Sequence, residues 1–343
     1  MLQAGCVFRT VREQQARADA VGEISGTVVP ARPGAHVLVV VLLRRDTAGT
    51  SIADHFVLER PGRWIFRATP GTYGLAAFED VNGDLRYDPG EPALYPSSGD
   101  FFDLAAGEKR SLPLVIPRDG RAPVDAPVDI AALQARGSSD QLHATLGELT
   151  VLGEVVDLRD PRFDEDVGRR SMWAPVDFLF EVNPGVYFAE PYDPKKIPVL
   201  FVHGITGTPR NFAAIVGRLD RSRLQPWFFY YPSGARLETV VDVLENAVAQ
   251  LRVRYGFREL YVVAHSMGGL IARAAVLDRG ATRFVTIATP WGGNEAAQAG
   301  VEHAPAVVHA WSALAPGSAF LDALFYEQGG GERRRRRLPA TVR

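Results

Sequence analysis

Residues 260–276, LYVVAHSMGGLIARAAV, decide the fold of this chain. An apolar, strand-like run meets Ser266 among small residues, and a helical pattern follows from Gly268 without a break. So tight a turn from strand to helix forces the serine into an unfavourable backbone conformation and leaves its hydroxyl exposed for attack. Ala264 and Gly268, two positions before and after, are small enough to avoid the neighbouring chain. The pattern predicts a nucleophile at Ser266; the alternative is a tight turn with an idle serine.

The surrounding sequence alternates between strand and helix patterns. The continuous apolar run at 197–204 (IPVLFVHG) is typical of a parallel strand buried on both faces. The runs at 226–232 (PWFFYYP) and 283–290 (RFVTIATP) predict further strands. Between the second run and residue 258, apolar residues recur at helical spacing: Leu237, Val240, Val241, Leu244, Val248 and Leu251. The alternation predicts a doubly wound, mainly parallel α/β sheet.

Three stretches, VLFVHGITGT, VVAHSMGGLIAR and FVTIATPWGG, resemble lipase-type α/β hydrolases. They are similar to bacterial triacylglycerol lipases and to proteins like the GPI inositol deacylase. The resemblance implies Ser266 as the nucleophile and the main-chain N–H groups of Ile205 and Met267 as the oxyanion hole. His203 and Gly204 would support the oxyanion loop, so His203 is not expected to act as the general base.

The elbow departs from the family pattern G-x-S-x-G in one position, because Ala264 replaces the first glycine. Alanine is still small enough to avoid the neighbouring chain at this position. His265, beside the serine, is expected to point away from the turn and to pack against its neighbours. The resemblance implies a serine carboxylic-ester hydrolase with an ester or lipid-like substrate and no catalytic cofactor. An acyltransferase using the same elbow, or an inactive surface-anchored binding protein, remains an alternative.

The rest of the catalytic triad is not visible in the sequence. In this fold an Asp or Glu and then a His follow the serine on loops after later strands. After Pro290 only 53 residues remain, and His303 and His309 precede Asp322, which is the wrong order. We therefore expect an incomplete hydrolase, produced by truncation of the gene model, a frameshift or a fragment, with a natural remnant as the alternative.

The last 53 residues contain two further patterns and are not expected to form strands. Residues 295–325, rich in Ala, Leu and aromatic residues, predict cap helices around an acyl pocket, with Trp291 and Trp311 either lining that pocket or packing in the core. Residues 333–337 are five arginines, which predict a solvated basic segment; contact with an anion or a membrane surface is the alternative.

The first third of the chain differs in pattern. Short β-type runs between residues 22 and 117, separated by Gly and Pro, predict half-buried antiparallel strands and a small all-β sandwich, similar to prealbumin-like and carboxypeptidase-regulatory modules. The predicted division is a β module at 22–120, a linker with leading strands at 121–195, and the truncated hydrolase domain at 196–343. Within the connection, 176–182 and 185–194 are predicted strands and 161–170 a solvated loop.

One loop of the β module carries regularly spaced oxygen donors. Side chains at loop positions 1, 3, 5, 9 and 12, with a main-chain carbonyl at position 7, match the way one loop wraps Ca²⁺. These positions are Asp80, Asn82, Asp84, Asp88 and Glu91, with the carbonyl from Arg86. Leu85 replaces the glycine of an EF-hand, so the pattern is similar to the calcium loops of bacterial β-sandwich modules. A structural Ca²⁺ is the prediction, and a metal-free acidic loop is the alternative.

Composition excludes some functions. The 343 residues are 46% hydrophobic, enough for a sizeable core, and 38 basic and 40 acidic side chains leave a formal charge of −2. This balance gives no general attraction to nucleic acid. No apolar run reaches the roughly 18 residues needed to cross a bilayer.

The single cysteine, Cys6, follows Leu2-Gln3-Ala4-Gly5, which resembles the cleavage box of bacterial lipoproteins. We therefore expect lipidation at Cys6, a tether over residues 1–21 and a location on the membrane surface of the cell envelope; otherwise the protein would be secreted or periplasmic. Gln3 departs from the usual aliphatic residue and no apolar h-region precedes it, which a start codon assigned too far downstream would explain. The alternative is an incidental thiol.

Overall fold

The computed structural model describes residues 2–34, 37–123, 126, 128, 144–276, 281–329 and 332–335. It divides into two compact units. The first, called the serine unit, comprises Met1–Ala16, Leu152–Glu245 and Phe257–Arg343; the second, called the strand unit, comprises Arg17–Val151 and Asn246–Gly256. The division differs from the predicted one, because the serine unit begins before residue 196 and includes the N-terminal segment.

Among the described residues of the strand unit, nine strands form two sheets. In chain order they are β1 (Gly22–Val29), β2 (Val37–Asp46), β3 (Gly49–Leu58), β4 (Arg63–Ala68), β5 (Gly71–Asp80), β6 (Ala93–Leu94), β7 (Phe102–Leu104), β8 (Lys109–Ser111) and β9 (Leu114–Val115), with a 3₁₀ turn at Ser98–Asp100. One sheet has the order β4-β1-β8, with β9 also on β1. The other has the order β3-β2-β5-β6, with β7 also on β5. The pairs β1–β4, β2–β3 and β2–β5 are antiparallel, as predicted.

The two sheets share one core. Tyr73 and Leu75 of β5 pack in the same cluster as Ile24 of β1 and Trp64 of β4. The prediction of half-buried strands was wrong for β5, because Phe78, on the opposite face, lies in a second buried cluster. The strand is therefore covered on both sides.

The serine unit is built on a sheet of six strands in the part of the chain that the structure describes. Its helices and strands are α1 (Leu2–Asp19), β10 (Val151–Val155), α2 (Glu165–Trp173), α3 (Pro175–Glu181), β11 (Gly185–Phe188), β12 (Ile197–Val202), α4 (Ala213–Val216), β13 (Leu224–Tyr230), α5 (Leu237–Tyr255), β14 (Tyr261–His265), α6 (Met267–Val276), β15 (Arg283–Ile287), α7 (Glu295–His303), α8 (His309–Leu314), α9 (Ala319–Phe325), β16 (Tyr326–Gly329) and β17 (Glu332–Arg335), with 3₁₀ turns at Pro161–Phe163 and Pro209–Phe212. The last part of α5, from residue 246, belongs to the strand unit.

The sheet order is β10-β11-β13-β12-β14-β15. Strands β13, β12, β14 and β15 are parallel, and β11 runs antiparallel to β13. On one face, Val199 and Phe201 of β12 pack with Phe212 and Val216. The alternate residues of β12 are also fully buried, and α6 contacts this strand. The prediction of a mixed α/β class is confirmed.

Two segments before β11 are helices, contrary to prediction. Residues 176–182 lie in α3 rather than in a strand, and residues 161–170 form a 3₁₀ turn and most of α2 rather than a solvated loop. Pro175 opens α3 at a position where its fixed φ suits a helix. Phe163 is fully buried and contacts Tyr187 edge to face, which anchors the supposed loop in the core. Of the predicted strand 185–194, only Gly185–Phe188 is a strand.

The segment predicted as a tether is the helix α1. Val11 and Gln14 are buried, and the Gln14 side-chain carbonyl accepts the N–H groups of Val176 (2.8 Å) and Asp177 (3.1 Å) at the start of α3. Arg12 donates to the carbonyl of Pro305 at 2.9 Å. Residues 2–16 are therefore packed on the serine unit. Among the described helices, none has the length and hydropathy required to span a membrane.

The C-terminal segment is also more ordered than predicted. Three helices, α7 to α9, occupy residues 295–325 as the pattern indicated. Strands β16 and β17 then form an antiparallel hairpin that pairs Tyr326 with Arg335. The expectation that the last 53 residues contain no strand was therefore wrong. Arg336 and Arg337 lie outside the described residues.

Candidate active site

Ser266 occupies the single residue between β14 and α6. Its φ of 52° lies in the left-handed region, which is uncommon for a residue with a side chain. Two main-chain hydrogen bonds hold this conformation: Ser266 N–H donates to the carbonyl of Ile287 at 2.8 Å, and Gly269 N–H donates to the carbonyl of Ser266 at 3.0 Å. The surrounding structure thus over-determines a strained backbone, which is characteristic of functional sites.

Close packing around the elbow requires small residues. A Cβ at Gly268 would lie 2.3 Å from the carbonyl oxygen of His203, and one at Gly204 would lie 2.8 Å from Ser266 Cβ. Ala264 is fully buried. The loop after β12 therefore lies directly against the serine, at the carboxyl ends of adjacent parallel strands.

The two amides expected to form an oxyanion hole lie on the segments that meet here. Met267 is the first residue of α6, and Ile205 follows Gly204 in a turn closed by Gly207 N–H donating to Gly204 O at 3.0 Å. Within the described ranges neither amide donates a hydrogen bond to a protein acceptor. A pair of main-chain donors beside a hydroxyl is the arrangement that stabilises an oxyanion.

His203 lies below the loop with both ring nitrogens engaged. Its Nδ1 is 2.8 Å from the carbonyl of Gly204 and its Nε2 is 3.3 Å from the N–H of Tyr231. Because a carbonyl only accepts and an N–H only donates, the imidazole carries its proton on Nδ1 and is neutral. Burial lowers the pKa of His203 to about 4. Its ring stacks on Tyr231 at 4.1 Å, so His203 is a scaffold residue in this structure.

The other histidines do not complete a triad with Ser266 in the described part of the chain. His265 is exposed, so the expectation that it packs against neighbours was wrong. His303 is largely exposed beside Glu302, and His309 begins α8. No hydrogen bond joins any of these side chains to Ser266 among the described residues. His36 and His143 lie outside that part.

Trp291 and Trp311 pack between helices. Trp291 meets Phe325 edge to face at 6.0 Å, with the Arg273 guanidinium 4.7 Å from the Phe325 ring. Trp311 meets Trp173 edge to face at 6.1 Å. Both indoles are half-buried rather than part of the buried core.

A cluster of hydroxyls beneath the oxyanion loop was not anticipated from the sequence. Ser233, just beyond the end of β13, accepts the N–H of Thr206 at 3.0 Å and lies 3.0 Å from the hydroxyl of Ser171 on α2. Both serines are 1% exposed. One signal could have indicated them: Ser233 follows the carboxyl end of a parallel strand, where ligand sites of open α/β sheets gather.

The carboxylates of the acidic loop in the strand unit accept hydrogen bonds from the loop's own main chain. Asp80 Oδ1 accepts the N–H of Gly83 (2.7 Å) and its Oδ2 accepts that of Leu85 (2.9 Å), while Glu91 accepts the N–H groups of Val81 (2.6 Å) and Asp88 (3.0 Å). Burial raises the pKa of both carboxyls. Among the described residues no three His, Cys, Asp or Glu side chains are grouped to hold a metal.

The loop instead closes on its own main chain. Leu85 adopts a φ of 62°, the conformation for which an EF-hand uses glycine, so the substitution does not prevent the turn. The Asn82 amide donates to Asp84 (3.2 Å) and to Asp88 (2.9 Å), which joins two further predicted ligands without an ion. The backbone N–H of Arg86 donates to Asp84 at 2.8 Å.

Comparisons with known proteins give remote likenesses. No protein-family model matches the chain, and no curated protein matches it. Among solved structures, the chain is similar to one reported with the carboxylesterases of the thaumarchaeon Nitrososphaera gargenis (16% identity, 29% of this chain and 40% of that chain, TM-score 0.24). It is also similar to a probable hydrolytic enzyme from Pseudomonas aeruginosa PAO1 (20% identity, 29% of this chain and 35% of that chain, TM-score 0.24). A third similar structure is Est1E from Butyrivibrio proteoclasticus (20% identity, 34% of this chain and 49% of that chain, TM-score 0.25).

The aligned region spans less than half the length of each of these three proteins, at 40%, 35% and 49%. Likenesses of this extent do not identify a family for the chain.

Proposed function

We propose that the serine unit is an α/β-hydrolase-type domain in which Ser266 is the nucleophile of a carboxylic-ester hydrolase. The observation that carries the proposal is the positive φ of Ser266 at a strand-to-helix turn, with Gly204 in direct contact. This conformation is unfavourable for serine. Beside it lie two amides, of Ile205 and Met267, without protein acceptors among the described residues.

The reaction follows from these groups. Ser266 Oγ attacks the ester carbonyl carbon as its proton passes to a base, and the carbonyl π electrons move onto oxygen. The N–H groups of Ile205 and Met267 receive that oxyanion. Collapse of the tetrahedral adduct breaks the bond to the leaving alcohol, which takes the proton and leaves an acyl group on Ser266. Attack by water, with the same proton transfers, releases the acid and restores the serine.

The helix α6, which follows Ser266, also favours formation of the oxyanion. α6 runs for 10 residues from Met267 and buries most of its side chains. The N-terminus of such a helix carries a partial positive charge of about half an elementary charge, which favours a developing anion. The described residues do not identify the base that accepts the Ser266 proton.

An apolar acyl or lipid-like substrate is our proposal for the ester, on the basis of the three stretches that resemble lipase-type hydrolases. Lipidation at Cys6, and with it a place at the cell envelope, remains a prediction. The test is mass spectrometry of the mature N-terminus from the native host.

A fluorophosphonate probe tests the proposed nucleophile. We expect wild-type protein to be labelled on the peptide that contains Ser266, and Ser266→Ala to be unlabelled. Ser318→Ala should react like wild type, because the Ser318 hydroxyl caps α9 and bonds to the carbonyl of Ala313, away from Ser266. Absence of labelling in a folded wild-type protein would overturn the proposal. Product analysis of ester cleavage with a competing alcohol separates hydrolysis from acyl transfer.

A further inference from the structure

We propose that Ser233 and Ser171 are positioning residues that hold the oxyanion loop so that the Ile205 amide faces the reaction. The inference rests on the proposed function of Ser266. It is independent of the nucleophile's own geometry, because neither hydroxyl bonds to Ser266: Ser233 bonds to the main chain of the loop, and Ser171 bonds to Ser233.

Both peptide planes that flank the Cα of Ile205 are held by hydrogen bonds. The carbonyl of Gly204 receives the N–H of Gly207 at 3.0 Å and the Nδ1–H of His203 at 2.8 Å. Since a trans peptide points its N–H opposite to its C=O, these bonds turn the N–H of Ile205 to the other side. The next plane is held by Thr206 N–H donating to Ser233 Oγ at 3.0 Å.

The donor and the acceptor of each hydrogen bond between α2 and the loop follow from the fixed roles of the main-chain groups. The hydroxyl of Ser171 lies 2.7 Å from the carbonyl of Gly168, which can only accept, so Ser171 donates there. Its lone pairs then receive the N–H of Ser233 at 3.2 Å and the hydroxyl of Ser233 at 3.0 Å. Ser233 Oγ is thereby left with lone pairs for the amide of Thr206. Three successive hydrogen bonds, all donated in the direction from the loop to α2, therefore connect the two segments.

The loop needs such support because its conformation is strained. Thr206 has a φ of 55°, in the left-handed region. The helix α2 approaches closely enough that a Cβ at Gly168 would lie 2.6 Å from the carbonyl oxygen of Thr206. Without the bond to Ser233, the amide of the half-buried Thr206 loses its acceptor, and rotation of that peptide plane relieves both the backbone strain and the unpaired donor.

The test combines kinetics with amide hydrogen exchange on full-length protein. We expect Ser233→Ala to lower kcat, or the rate of fluorophosphonate labelling, by about 30- to 100-fold with little change in KM, because an oxyanion donor acts in the transition state. Ser171→Ala should lower it by about tenfold, since Ser233 keeps its bond to Thr206 but loses its own acceptor. Ser318→Ala, which removes another helix-associated hydroxyl, is the matched control and should behave like wild type.

Hydrogen exchange gives a readout that needs no activity. We expect the segment 204–208 to exchange at least about tenfold faster in Ser233→Ala than in Ser318→Ala, at equal thermal stability within a few degrees. Unchanged exchange overturns the positioning role whatever the activity. Faster exchange with unchanged kcat and labelling also overturns it. An inactive, unlabelled wild type refutes the proposed function itself, and the role in catalysis falls with it.

Discussion

Gly204→Ala places one methyl group between the oxyanion loop and the nucleophile. The new Cβ would lie 2.8 Å from Ser266 Cβ and 3.2 Å from both Nδ1 and the carbonyl oxygen of His265. Ordinary contact between carbon atoms is about 3.6 Å, so the loop and the elbow must separate by roughly 0.8 Å. Gly204 does not have a positive φ, so the substitution adds no backbone strain of its own.

The expected effect follows from this displacement. A misplacement of about 1 Å in a reacting group can lower a rate by about 100-fold. We therefore expect Gly204→Ala to reduce the rate of fluorophosphonate labelling at Ser266, and kcat for ester cleavage, by roughly this factor. Overpacking should lower the free energy of unfolding by about 1–3 kcal/mol, measured by urea denaturation.

Gly217→Ala is the matched control for this substitution. Gly217 has helical φ and ψ of −65° and −16° at the end of α4, and the nearest atom to an added Cβ is 3.3 Å away. Alanine there should leave labelling unchanged and raise the free energy of unfolding by up to about 1 kcal/mol. Labelling of Gly204→Ala within twofold of wild type would refute the close opposition of loop and nucleophile.

Three further outcomes follow from the same structure. Burial raises the pKa of Asp54 from 3.8 to about 7. The protonated carboxyl therefore contributes up to about 4 kcal/mol to stability below pH 4, and this contribution is lost as the pH rises through 7. Urea unfolding at pH 5 and pH 8 should show a smaller loss of stability between the two pH values for Asp54→Asn than for wild type, and an equal loss would contradict the raised pKa of Asp54. Gln14→Ala removes the acceptor of two half-buried amides of α3 and should lower the free energy of unfolding by about 1–3 kcal/mol. Arg9→Ala, in an exposed ion pair, should change it by less than about 1 kcal/mol, and equal effects of the two substitutions would argue against the docking of α1. Addition of calcium or of a chelator should leave the melting temperature of the protein unchanged, and Asp80→Asn should lower it with or without calcium. If calcium raises the melting temperature of the wild type but not that of Asp80→Asn, the acidic loop binds the ion.

The parts predicted well from the sequence are those that local pattern determines. The run into Ser266, the serine and the helix after it are contiguous, so one strand-turn-helix pattern predicts the elbow and its small flanking residues. The parallel strands β12 and β13 were visible as continuous apolar runs, because burial on both faces removes alternation. The strand β15 was also predicted from an apolar run, but it ends the sheet order, and Val285 and Ile287 are exposed.

The errors occurred where distant contacts decide the local structure. The start of α3 depends on a side chain of α1 more than 160 positions away, and α2 is anchored through Phe163 in an aromatic core. The hydroxyls of Ser171 and Ser233 are 62 positions apart in the chain, so no local motif connects them.

The structure of the phosphonylated protein is the most direct test of the account. After reaction with a fluorophosphonate, we expect the phosphorus bonded to Ser266 Oγ and a phosphoryl oxygen about 2.7–3.1 Å from the main-chain nitrogens of both Ile205 and Met267. An adduct whose oxygen faces solvent, away from these two amides, would contradict the proposed oxyanion hole.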